Sequence, residues 1–168
     1  MSIFSWFLGR FSNDLYIQIW ENRIKISCIG SSCVYDDVPL VAIQTNASGV
    51  DIIAGIGRSC SELDSNQYQI INPFSHPRTL LSDFYVAEKL LQHAVREIHN
   101  SRQLKPAPRV IFHPMDKIEG GITNVEHRAY QELCAGAGAR KTVIHVGAEL
   151  KVQGLHFDSV GDVLSDKT

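Results

Sequence analysis

The sequence predicts an α/β fold with a mixed sheet, and three patterns within its 168 residues indicate this. Segments 16–20 and 23–29 alternate apolar and polar residues, as strands do, and Glu21-Asn22 between them predicts an antiparallel hairpin. Farther along, two amphipathic helices are each followed by a short apolar segment typical of a buried strand. The order strand, helix, strand, helix, strand predicts parallel crossovers beside the hairpin.

A second pair of strands is predicted at 38–45 and 50–57, because the intervening residues, Asn46-Ala47-Ser48-Gly49, are typical of a turn. The polar residues 59–69 predict a loop or a short helix. We therefore expect a small sublobe in this part of the chain.

The first helix is expected to begin with Ser82 as its N-cap and Asp83 in its first turn, and to run to about Asn100. Apolar residues at helical spacing form its inward face: Phe84, Ala87, Leu91, Ala94 and Ile98.

The remaining elements follow from shorter signals. Residues 109–112 predict a strand that His113-Pro114 closes, and a second helix is predicted from Thr123 to the glycines before residue 139. Residues 142–147 predict the last strand. Residues 155–168 have no clear periodicity and are expected to be partly disordered.

Composition and charge exclude several classes of protein. With 44% apolar and 20% charged residues, the chain is neither intrinsically disordered nor a coiled coil. Sixteen Lys and Arg residues against 18 Asp and Glu residues give a formal charge of −2. No nucleic-acid partner is expected, because phosphate binding requires an excess of clustered cations.

The cysteines and histidines predict no metal site. Cys28, Cys33, Cys60 and Cys134 form no C-x-x-C, and four residues separate the closest pair, so neither zinc nor oxidation chemistry is indicated. The seven histidines include no H-E-x-x-H and no pair at ligand spacing on a helix. A reduced, cytosolic setting is expected.

The first 12 residues predict contact with a membrane surface. The apolar residues of MSIFSWFLGRF are Ile3, Phe4, Trp6, Phe7, Leu8 and Phe11. On a helix, most of them would fall on one side. The segment is too short to span a bilayer and lacks the parts of a signal peptide. Packing of this segment on the domain's own core is the alternative. With few positive charges, attachment is expected to be weak and reversible.

Several segments, in order, resemble the MreB family of bacterial actin homologues. The strongest are RVIFHP (109–114), ITNVEHRAY (122–130) and AGAGARKTVIHVG (135–147), and weaker ones are FSNDLYI (11–17), VPLVAIQ (38–44) and SDFYVAEKLLQHAV (82–95). The resemblance implies the first half of an actin-type fold, a ribonuclease-H-like lobe at 13–147 with a small lobe inserted at about 38–72. Residues 148–168 would form a C-terminal tail.

The family binds ATP and magnesium, and the resemblance implies that this chain has lost that site. The family's first phosphate loop, Asp-Leu-Gly-Thr, matches Gln18-Ile19-Trp20-Glu21. Gln18 has no charge for a metal, Trp20 blocks the approach that glycine allows, and Glu21 repels phosphate. The resemblance also implies that the opposite wall of the nucleotide cleft is missing. No cofactor is therefore expected.

Glu126 has two possible roles. It matches the family glutamate that helps to position the attacking water, which would make it a vestigial catalytic residue. Thr123 and Glu126 also form a T-x-x-E capping box, in which the glutamate bonds back to the start of the helix. Without phosphate loops we favour capping. His145-Val146-Gly147 stands where the family has Glu-Glu-Pro at the cleft.

Together these features predict an MreB-like cell-shape accessory protein that is not an enzyme. It would lie in the cytoplasm or at the inner face of the cytoplasmic membrane, and would contact a full-length MreB-type filament or a second copy of itself. The alternative is a small α/β enzyme, a residual ATPase or a hydrolase, that uses Glu126 with His127 or His113.

Overall fold

The computed structural model describes residues 14–99 and 106–164, which form two sheets and two helices. The strands are β1 (Leu15–Ile19), β2 (Ile24–Cys28), β3 (Val34–Asp37), β4 (Val41–Thr45), β5 (Asp51–Ile56), β6 (Gln69–Ile71), β7 (Arg109–Pro114) and β8 (Lys141–Ile144). The helices are α1 (Phe84–His99) and α2 (Asn124–Gly136), and short 3-10 helices cover Gly57–Glu62 and Phe157–Ser159. No helix within the described ranges is long and apolar enough to cross a membrane.

The main sheet has the order β3-β2-β1-β7-β8, which confirms the predicted mixed sheet. β1 pairs antiparallel with β2 and parallel with β7, and β8 is parallel to β7. The prediction lacks β3 because its sequence, VYDD, is half polar. Pairing with β2 holds this strand, and Asp36 lies opposite Lys25. β7 extends through Pro114, and β8 ends at Ile144, three residues earlier than expected.

The second sheet, with the order β5-β4-β6, lies within the range 38–72. Its inner face packs against the main core through Val41, Ile56 and Ile71, which are opposite one another across the three strands. β6 contains only three residues and begins where a loop was expected, because its apolar run is too short to give a periodic signal.

Both helices pack on one face of the main sheet. The N-cap of α1 is Asp83 and not the predicted Ser82: the Asp83 carboxylate accepts the Val86 N–H at 3.0 Å, whereas the Ser82 hydroxyl donates to the Asn72 carbonyl at 3.3 Å. α2 ends as predicted, with Gly138 at a φ of 96°. The predicted end of α1 at Asn100 lies outside the described residues.

β1 contributes to the cores on both faces of the sheet. Leu15, Ile17 and Ile19 pack toward the helices, while Tyr16 points to the opposite face. That second face is covered by the first part of residues 147–164, and we call the whole range the C-terminal strap. Its apolar residues pack on Tyr16, Ile111 and Val143; they are Leu150, Val152, Leu155, Phe157 and Val160. The expectation of disorder is therefore wrong for 155–164, because residues 155–160 pack on the second core and Val163 packs on the helix-side core.

An ion-pair network of three residues anchors the strap at Asp158. The Arg109 guanidinium donates to the Asp14 carboxylate at 2.8 and 2.6 Å and to the Asp158 carboxylate at 3.0 and 2.9 Å. It also lies 4.6 Å from the centre of the Phe157 ring. The carboxylates raise the pKa of Arg109, the Asp14 contact contributing most. The start of β1, the start of β7 and the strap are thus joined by one side chain.

A buried chain of hydrogen bonds holds the start of the strap. The Leu150 N–H donates to the Tyr16 hydroxyl at 3.2 Å, and that hydroxyl lies 2.7 Å from Nδ1 of His113. Nε2 of His113 is 3.2 Å from the Gly147 carbonyl, which can only accept. The neutral ring therefore carries its proton on Nε2 and accepts from Tyr16.

His113 should make the domain sensitive to acid. Burial, and next the neighbouring His145, lower its pKa to about 4, while Tyr16 and Glu149 are the other titratable groups beside it. The unfolded chain, with a histidine pKa of about 6.5, takes up the proton first, so stability falls as the pH drops from 6.5 toward 4.

We expect His113→Gln to remove about 3 kcal/mol of the difference in unfolding free energy between pH 7 and pH 4. Urea unfolding at both pH values measures it. His156→Gln, at an exposed histidine, is the matched control and should keep the wild-type dependence. An unchanged slope in His113→Gln would refute the assignment.

Candidate functional site

The turn between β1 and β2 contains the residues that the sequence resemblance matches to a phosphate loop. A phosphate-binding loop needs backbone N–H groups that point outward to an anion. Here the Trp20 N–H donates to the Arg23 carbonyl at 2.8 Å, and the Glu21 N–H donates to the Asp116 carboxylate at 2.8 Å. Both donors are thus used within the protein.

The Glu21 carboxylate is fixed at this turn by a hydrogen bond and an ion pair. It accepts the Ser75 hydroxyl at 2.9 Å and lies 3.1 Å from the Lys117 ammonium. These two contacts, Ser75 first, lower the pKa of Glu21, so the side chain is ionised at neutral pH. Asn72 donates to the Glu21 carbonyl at 2.7 Å. Loops 72–76 and 115–117 are therefore bonded to the turn.

The other two residues of the predicted degenerate loop face different surroundings. The Trp20 ring lies at the turn, half-buried, with the Arg23 guanidinium 5.3 Å from its centre. Gln18 is fully buried and points to the second face of the sheet, where its amide donates to Glu149 of the strap at 2.8 Å. The Gln18 Oε1 has no hydrogen-bond partner among the described residues. Gln18 therefore contacts the strap rather than the turn.

Thr123 and Glu126 form the capping box that their spacing predicts. The Thr123 hydroxyl accepts the Glu126 N–H at 3.2 Å, and the Glu126 carboxylate accepts the Thr123 N–H at 2.8 Å. Both groups satisfy N–H donors at the start of α2, which no earlier turn of the helix can reach.

The structure does not join Glu126 to either histidine of the alternative enzyme. His127 Nε2 lies 2.6 Å from the Asp162 carboxylate, whose other oxygen accepts the Ile144 N–H at 3.1 Å. His113 is bonded to Tyr16 and Gly147 on the face of the sheet opposite α2. The three side chains therefore have separate partners.

Sequence reasoning named Gln18 and His113 for other roles and missed that they hold the strap on the second face. Gln18 and His113 each interrupt an otherwise apolar strand, and this interruption was the available signal. Among the described residues, no group of three or more His, Cys, Asp or Glu side chains could hold a metal ion. The predicted membrane residues, from Ile3 to Phe11, lie outside the described part of the chain.

Comparison with known proteins places the chain in a family. A family model described as MreB/Mbl protein matches residues 12–154. The cell shape-determining protein MreB of Pasteurella multocida is 32% identical over 166 residues, which cover 92% of this chain and 46% of that protein. The chain thus spans about half the length of this curated relative.

Solved structures show the same fold. MreB5 of Spiroplasma citri bound to AMPPNP matches with a TM-score of 0.59 and 15% identity, over 80% of this chain and 39% of that one. The MamK double helical filament matches with a TM-score of 0.56 and 12% identity, over 80% and 41%. The fold is therefore actin-like, and with the family match over most of its length the chain belongs to the MreB/Mbl family.

Proposed function

We propose that this protein is an MreB-type cytoskeletal accessory at the cytoplasmic face of the membrane, which acts by protein and lipid contacts and does not bind nucleotide. The observation that carries the proposal is the turn after β1. The Trp20 and Glu21 N–H groups are bonded internally, and two carboxylates, Glu21 and Asp116, lie beside the turn.

Electrostatics at the turn disfavour a polyphosphate. MreB5 of Spiroplasma citri has been crystallised with AMPPNP, and nucleotide phosphates in general need cations and free N–H groups. Two cations lie at this turn and both have partners: Lys117 is bonded to Glu21 and to the His76 carbonyl, and Arg23 is bonded to Asp36. An incoming phosphate would have to displace Glu21 from Lys117 and would face its charge at close range.

Titration calorimetry with ATP and magnesium tests the loss of nucleotide binding. We expect no saturable binding up to millimolar ATP, because Lys117 is already paired with the Glu21 carboxylate. A full-length MreB in the same buffer is the positive control. Binding in the micromolar range that Lys117→Ala weakens would contradict the proposal and support the residual ATPase.

An exposed apolar patch between the helix starts supports protein contact. Val125 is 78% exposed and Phe84 is 38% exposed, and both border a groove of about 340 Å³. Arg128 and Glu132 form its polar rim. Contiguous exposed apolar residues mark interaction surfaces, and the related MamK forms a filament. We assign this patch to a subunit of a full-length MreB filament.

Co-sedimentation with full-length MreB filaments tests this surface. We expect the wild-type chain to pellet with the filaments and Val125→Glu to reduce the pelleted fraction at least tenfold, because a carboxylate would be desolvated in an apolar contact. Val50→Glu makes the same change at a 56% exposed valine elsewhere and should have no effect. Equal pelleting of the two variants would remove the patch from the proposal, and pelleting without filaments would indicate self-association.

Liposome flotation tests the proposed membrane contact of the N-terminal segment. We expect the triple change of Phe4, Phe7 and Leu8 to Glu to abolish flotation, because it places charges on the apolar side. Changing Ser2, Ser5 and Ser12 to Glu adds the same charge at polar positions, and this variant should retain most of the wild-type flotation. If both triple variants float like wild type, the segment does not bind lipid.

A further inference from the structure

Two cysteines that look unrelated by spacing lie opposite each other in the folded hairpin. β2 and β3 pair antiparallel with Ser27 opposite Val34, so the next pair toward the turn is Cys28 and Cys33. The Cys28 N–H donates to the Cys33 carbonyl at 2.9 Å, which shows that the pairing continues to this point. The hairpin register therefore brings together two residues that have four others between them in the sequence.

Their side chains point to the same side of the hairpin. Directly opposed residues of an antiparallel pair share a face, with Cα atoms about 5.5 Å apart in a hydrogen-bonded pair. Disulfides typically join Cα atoms about 4.4–6.8 Å apart. Cys33 Sγ reaches toward α1, 3.7 Å from the Ile98 carbonyl, and Cys28 packs against the same helix-side core. The backbone thus suits a bond between the two sulfurs.

Accessibility separates this pair from the other two cysteines. Cys33 is exposed and Cys28 is half-buried, so a small oxidant can reach Cys33 first. Cys60 and Cys134 are fully buried. Burial raises the pKa of both thiols, that of Cys134 to about 12, which suppresses the reactive thiolate.

We propose that Cys28 and Cys33 form a reversible intramolecular disulfide by exchange with a small-molecule disulfide such as oxidised glutathione. The Cys33 thiolate attacks one glutathione sulfur, and the other glutathione leaves as a thiolate that takes up the proton lost by Cys33. The Cys28 thiolate then attacks the Cys33 sulfur and releases the second glutathione, which takes up the proton from Cys28. One oxidised glutathione is reduced to two thiols, and the protein loses two hydrogen atoms.

The bond should be easily reduced. Opposed Cβ atoms in an antiparallel pair are about 4.5–5.5 Å apart, whereas a disulfide brings them to about 3.5–4.5 Å, so the base of the hairpin must close by up to about 1 Å. The strain makes the bond more reducible, as a switch in a reducing compartment requires. Oxidation also removes the thiol that donates to Ile98 and shifts turn 30–32, which borders a cavity of about 400 Å³ against strap residues 152–156.

Peptide mapping of the intact folded chain tests the proposal. Cleavage after Lys25 and Arg58 leaves Cys28 and Cys33 together in peptide 26–58, while Cys60 lies in 59–78 and Cys134 in 129–140. The protein is equilibrated with mixtures of oxidised and reduced glutathione, quenched with an alkylating agent and digested. We expect peptide 26–58 to lose two hydrogens and both alkyl groups as the oxidised fraction rises, and dithiothreitol to restore them.

Variants identify the partners. Cys33→Ser and Cys28→Ser should each abolish the two-hydrogen loss, whereas Cys60→Ser should leave it at the wild-type ratio. Circular dichroism confirms that each variant is folded, and the wild-type map does not depend on any variant. The proposal is overturned if peptide 26–58 keeps two alkylated thiols at every ratio of oxidised to reduced glutathione. It is also overturned if oxidation of this peptide yields only a glutathione adduct, or a crosslink to another peptide.

Discussion

The central strand of the main sheet is buried along its whole length, and this burial sets the requirements for the rest of the domain. All five residues of β1 are fully buried, although their side chains alternate between two faces. Each face must therefore be covered by other parts of the chain, since exposed apolar area would cost about 25 cal/mol per Å². The helices cover one face, and the C-terminal strap covers the other, where Tyr16 lies.

Covering the second face with a strap that has little regular structure requires side-chain anchors. The backbone N–H and C=O groups of such a segment have few partners in regular secondary structure, so side chains of the sheet must bond to them. Tyr16 accepts from the Leu150 N–H, and His113 donates to the Gly147 carbonyl. At the other end Arg109 is bonded to both Asp14 and Asp158. Buried polar residues in β1 and β7 are thus explained by the strap that they hold.

The sequence was sufficient where an interaction is local and insufficient where its partner is distant. The capping box of Thr123 and Glu126 spans four residues, and the helices follow from periodicity, so both could be predicted. The Glu21 N–H bonds a residue 95 positions away, and Gln18 bonds one 131 positions away, so neither contact has a local signature. β3 and β6 escaped prediction because short, polar or half-polar strands depend on their neighbours. The roles of residues 3–11 stay predictions.

This distinction matters for the candidate site, because a substitution alone does not show that a phosphate loop is lost. A replaced loop could still present free N–H groups to an anion. At this turn the backbone donors of Trp20 and Glu21 are bonded elsewhere, and the Glu21 carboxylate holds Lys117, which a phosphate would otherwise attract. A phosphate bound at this turn would have to break contacts that loops 72–76 and 115–117 make with it. The contacts of the turn therefore favour a structural role for Glu21 and Lys117.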